Sequence, residues 1–125
     1  MRMLVLEDNM DRQETFRGRY PDAVIVATAP ACIERLAEPW DVIYLDHDLG
    51  GNRLPDSDGE DCGMVVVRHI LEYRPDHLVS TQFIVHSANQ HRARIMADDL
   101  RRAGYDAELR SYINLLPELK HNEAR

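Results

Sequence analysis

Polar residues able to do chemistry gather at three places in this chain: Glu7-Asp8-Asn9, Asp46-His47-Asp48 and His86-Ser87-Ala88-Asn89. Each follows directly on a short apolar run, MLVL, VIYL or FIV. A carboxylate at the end of a buried run needs a reason, because burying a charge is costly unless something pairs with it. Four carboxylates brought together, Glu7, Asp8, Asp46 and Asp48, would repel and raise one another's pKa. A divalent cation relieves that repulsion, and all-oxygen ligands favour Mg²⁺, Mn²⁺ or Ca²⁺. An imidazole from His47 or His86 would tilt the choice toward Mn²⁺ or Zn²⁺.

Whether the three clusters meet depends on the elements that carry them. Apolar runs at 3–7, 23–28, 41–46 and 82–88 read as strands, with a weaker fifth at 105–112. Between them, DNMDRQETFRGRY reads as a helix with Asn9 as a cap, closed by Pro21, and 30–38 as a short helix with Pro30 in its first turn. In 64–74, residues Val65, Val66, His69, Ile70 and Tyr73 recur at helical spacing. In 89–104, Ala93, Met96, Ala97 and Leu100 line one face, and Gly104 is a stop signal. The strands are continuous apolar runs rather than alternations, which suits a parallel sheet covered on both faces. The expectation is a single α/β domain, a doubly wound, flavodoxin-like five-stranded sheet of order 2-1-3-4-5 with a shortened C-terminal helix. In that order the first, third and fourth strands are neighbours, and their polar ends converge on the crevice where open parallel sheets bind ligands. Ala27-Thr28-Ala29, at the end of the second strand, carries no charge and lies away from it.

At 125 residues the chain is one domain's worth. A net charge of -7 argues against gripping nucleic acid or an anionic membrane over a broad surface. The opening apolar run is too short for a signal peptide or a span, so the expected location is the cytoplasm, with no membrane partner. Cys32 and Cys62 lack metal-site or redox spacing and read as reduced structural thiols. The stretch 47–61 is the one connection too long to be plain, and its Asp56, Asp58, Glu60 and Asp61 read as a solvated acidic loop or a lid. Trp40 reads as packing, and His69 as core or half-buried.

Glu7-Asp8, the segment Asp41 to Asp46 and Ser87-Ala88 resemble the corresponding parts of the receiver, or response-regulator, domain. That resemblance implies Mg²⁺ at the acidic pair, a phosphoryl group on Asp46, and a hydroxyl contact from Ser87. Two features depart from it. The region after the fifth strand reads AELRSYI, with Arg110 its only cation where receivers carry a lysine, and the loop after Asp46 is long. LDHDLGG, the spacing from Asp58 to Gly63, and HSAN together are similar to the divergent cyclic-phosphate-processing receiver-like family.

The reading that follows is a small phosphohydrolase or phosphotransferase dependent on Mg²⁺ or Mn²⁺. Some subset of Glu7, Asp8, Asp46 and Asp48 would hold the metal, and Ser87 and Asn89 would bind phosphate, Asn89 also serving as a helix cap. His86 or His47 would move a proton, since opening a cyclic phosphodiester needs an activated water and a protonated leaving oxygen. Within the acidic loop, Asp58 is the candidate contributor. The partner would be a small phosphate ester, a nucleotide or an RNA end, and a homodimer is compatible with the fold. The alternatives are a signalling receiver phosphorylated at Asp46 and a non-catalytic module binding a nucleotide or a protein.

Overall fold

The computed structural model describes residues 1–46, 63–86 and 90–111. Its elements run β1 (Met3–Leu6), α1 (Met10–Arg19), β2 (Val24–Val26), α2 (Ala29–Arg35), β3 (Val42–Asp46), α3 (Gly63–Tyr73), a 3-10 turn (Asp76–Leu78), β4 (Gln82–His86), α4 (Gln90–Arg102) and β5 (Asp106–Leu109). All strand pairs are parallel, and the sheet order is β2-β1-β3-β4-β5, the order the sequence implied.

Successive residues of each strand face opposite sides, so the two faces of the sheet build two cores. Leu4, Leu6, Ile43, Leu45, Phe83 and Val85 pack with residues of α2, α3 and α4 in the larger one. Met3, Val5, Tyr44 and Ile84 form the smaller one with Phe16 of α1. The buried face of α4 is the predicted one, Ala93, Met96, Ala97 and Leu100, all fully buried. Beyond it Gly104 takes a left-handed φ of 97°, a conformation that favours glycine.

Local signals set the helix starts. Asn9 accepts at its side chain from the Arg12 amide (3.1 Å), and Thr28 from the Ala31 amide (3.2 Å). The buried set on α3 is Met64, Val66, Val67 and Ile70. His69 is half-buried, and Tyr73, in helical phase with it, is 65% exposed. Their rings meet 4.6 Å apart at the end of α3, where Arg74 turns left-handed (φ 44°) and leads the chain away. Trp40 is packing, as expected: its indole Nε1 donates to the Arg35 carbonyl (2.8 Å) and the Arg2 guanidinium lies over its ring. Burial pushes the Cys32 thiol up to about 12, which keeps it an inert core thiol. Cys62, the acidic loop and the expected short C-terminal helix lie outside the described residues. No helix among the described residues is long and apolar enough to cross a membrane.

Candidate functional site

The pairing register carries the site. Leu6 pairs with Leu45, Leu45 with Val85, and Asp46 with His86. Glu7 follows Leu6 directly, and its amide donates to the Val26 carbonyl of β2 (3.0 Å). Glu7, Asp46 and His86 therefore form one row across the carboxyl ends of three adjacent strands. By the two-residue period they share the face of Met3, Val5, Tyr44 and Ile84, the side covered by α1.

All three side chains are buried, with at most 1% of their surface exposed. Each offers one ligand atom, and these atoms lie within 4.8 Å of one another. Glu7 is held on two sides. Its Oε2 accepts from the Asn9 amide (3.2 Å), and its backbone carbonyl accepts from the Gln13 side chain (2.6 Å). Its Oε1 is buried without a hydrogen bond, and the Arg12 guanidinium stands 3.9 Å away. Burial first, then the charge and hydrogen bonding of Asp46, push the Glu7 carboxyl from 4.5 up to about 8; the Asn9 amide and Arg12 oppose the rise.

Two neighbours shape this row. Phe16 sits with its ring centroid 5.0 Å from that of Tyr44 and 6.2 Å from that of His86, so an aromatic wall closes the α1 side. Gly63, first residue of α3, leaves no room for a Cβ: one would collide with the Asp46 carbonyl oxygen and with Met96 Cε. The glycine lets α3 approach the backbone of the very residue that ends β3.

Of the residues singled out from sequence, the structure brings Glu7, Asp46 and His86 together. Asp8 is half-buried beside Glu7 and is not one of the three. His47, Asp48, Asp58, Ser87 and Asn89 lie outside the described residues. Arg110 extends the pattern at β5: its amide donates to the Val85 carbonyl (2.9 Å), and its Nε pairs with Glu108 at 2.5 Å. Three residues that shape the site went unnamed as such in the sequence. Arg12 stands one turn beyond the Asn9 cap, Phe16 one further turn along α1, and Gly63 was visible only as a spacing from Asp58.

The donor set fits a divalent cation. Two carboxylates and a dication sum to zero charge, and the Glu7 oxygen that lacks a hydrogen bond would gain a partner.

The chain compares with known proteins as follows. The model of the cyclic-phosphate processing receiver domain matches residues 2–109. No curated protein matches. Among solved structures, a response regulator from Colwellia psychrerythraea shares 16% identity at a TM-score of 0.60, over 99% of this chain and 97% of that one. A point mutant of the receiver domain of the histidine kinase CKI1 from Arabidopsis thaliana shares 18% at 0.58, over 99% and 90%. At such identities these two speak for the fold alone. The family match spans most of the chain, and with the strand order it shows that the protein belongs to the cyclic-phosphate processing receiver domain family.

Proposed function

We propose that the protein is a divalent-metal-dependent enzyme acting on small phosphate esters, cyclic phosphates or nucleic-acid phosphate ends foremost. The observation that carries this reading is the buried row of Glu7, Asp46 and His86 at the carboxyl ends of neighbouring strands. Glu7 and Asp46 would hold Mg²⁺ or Mn²⁺, with Asp8 and Asp48 beside them in the sequence. Bound there, the cation would offset the carboxylates and polarise a phosphoryl oxygen.

The chain's own residues do the rest. Ser87 and Asn89 would donate to phosphate oxygens at the start of α4, where unpaired amides and the helix dipole favour an anion. A histidine, His47 or His86, would carry the proton that the leaving oxygen needs. Phe16 and Tyr44 lie on the α1 side of the row, and water kept from that side would strengthen each charge interaction inside it. A net charge of -7 repels anionic substrates at long range, so the reading favours small esters or chain ends over a long nucleic-acid footprint.

The test is incubation of the protein with 2′,3′-cyclic nucleotides and with other phosphate esters, in Mg²⁺, Mn²⁺ or EDTA, read by ³¹P NMR. Turnover that needs the metal and is lost in Asp46→Asn supports the proposal. Absence of turnover across the panel, together with labelling of Asp46 by acetyl phosphate, would favour the signalling reading, in which Asp46 accepts a phosphoryl group.

A further inference from the structure

Two histidines compete for the role of proton carrier, and the structure describes the surroundings of one of them, His86. We infer that His86 is a metal ligand, and that the site it completes with Glu7 and Asp46 selects a first-row transition dication such as Mn²⁺ over Mg²⁺. The inference rests on the metal-dependent reading of this site but not on turnover.

His86 is directly in register with Asp46 on the adjacent strand, and its ring is fully buried. A nitrogen of that ring lies within 4.8 Å of a carboxylate oxygen of Glu7 and of Asp46. Three atoms so spaced can face one ion. Phe16 lies beside the ring, its centroid 6.2 Å away and its plane tilted by 33°. A proton carrier must reach the leaving oxygen of a substrate and then exchange with water. A ring nitrogen at ligand spacing from two carboxylate oxygens suits a metal ligand more directly than a proton carrier.

A second observation points independently to a ligand. Glu7 Oε1 belongs to a fully buried side chain and makes no hydrogen bond. A buried carboxyl oxygen with no hydrogen bond is costly, and a cation in the row would give it a closer partner than the Arg12 guanidinium 3.9 Å away.

The donor chemistry then sets the metal. Two oxygens and one imidazole nitrogen are not the set Mg²⁺ prefers, since it keeps oxygen ligands and water in a strict octahedron. Imidazole suits first-row transition ions, and Mn²⁺ accepts it alongside carboxylates. Proton transfer then falls to His47.

The experiment is pulsed electron paramagnetic resonance on Mn²⁺ bound to the metal-stripped protein, with parallel Mn²⁺ and Mg²⁺ titrations. The expected result is nitrogen coupling to Mn²⁺ in wild type and in His47→Gln, and its loss in His86→Gln. Mn²⁺ should bind more tightly than Mg²⁺ by about tenfold or more, and His86→Gln should weaken Mn²⁺ by at least the roughly 10- to 100-fold that loss of an outer-shell partner costs. If His86→Gln does not fold, coupling kept in His47→Gln still points to His86, the histidine of the described residues that stands at ligand spacing from two carboxylates. Coupling that disappears in His47→Gln would overturn the inference. So would Mn²⁺ bound with no nitrogen coupling and no preference over Mg²⁺, even if Mg²⁺-dependent turnover left the proposed function standing. Nitrogen coupling from His86 without any phosphate turnover would support this inference while overturning the enzymatic reading. Failure of any cation to bind would overturn both.

Discussion

Replacing Glu7 by glutamine should stabilise the metal-free protein at neutral pH while destroying its cation site. The structure raises the Glu7 carboxyl from 4.5 to about 8, through burial and the neighbouring Asp46. Between those two values the folded protein holds a proton that the unfolded chain has released. Stability from this group is therefore fully present below 4.5, falls as pH rises, and is gone by about 8. At about 1.4 kcal/mol per pH unit, the loss from 4.5 to 7 is roughly 3 kcal/mol, an upper figure because the site can relax or admit water. Glutamine keeps the shape and can still accept the Asn9 amide bond, but carries no proton to lose. Urea titrations in EDTA from pH 5 to 8, on wild type and Glu7→Gln, read the difference directly. Titrating groups far from the row cancel in that difference to first order. The variant should gain on wild type as pH rises, by about 1–3 kcal/mol at pH 7, and excess Mn²⁺ should stabilise wild type alone. A difference that stays flat with pH would show that Glu7 is already ionised without metal, and the crowding argument would fail.

Other perturbations test the surroundings of the row. Gly63→Ala forces a methyl against the Asp46 carbonyl and Met96, and should cost about 1–3 kcal/mol in urea denaturation while weakening cation binding. Phe16→Leu removes the ring beside Tyr44 and His86; a loss of roughly 1–2 kcal/mol is expected, with a weaker and less selective cation site in titration. Thr81→Val is the control: Thr81 Oγ1 donates to the Trp40 carbonyl (2.6 Å) at the opposite end of β4 from His86. It should cost about 1–2 kcal/mol of stability and leave cation affinity unchanged.

Much of the scaffold was legible in the sequence because a parallel sheet covered on both faces writes itself as continuous apolar runs. MLVL and FIV are buried throughout, and VIYL is buried save for its half-buried first residue, Val42, as the runs imply. The strand ends were legible too, since Glu7, Asp46 and His86 each interrupt such a run. Their alignment into one row was not, because register is set by pairing between strands and no single run records it. The role of Gly63 was hidden for a similar reason: the requirement comes from a carbonyl 17 positions earlier that the fold brings against it. Tyr73 kept the helical phase of its neighbours yet emerged exposed, because periodicity fixes direction around a helix and not where the sheet beneath it stops. Of the four acids grouped from sequence, Glu7 and Asp46 meet among the described residues, joined by His86, while Asp48 lies outside them. Period-two geometry alone would have put His86 on the face of Ile84, but only the register sets it beside Asp46.

The central claim is that the strand-end carboxylates hold a divalent cation. Calorimetric titration of the metal-stripped protein with Mn²⁺ and Mg²⁺, on wild type and Asp46→Asn, tests it most directly. Saturable binding of one ion is expected, lost in the variant, with proton release at pH 7 because the cation displaces the proton from Glu7. Wild type that binds neither ion, or an Asp46→Asn variant that binds as wild type does, would contradict it.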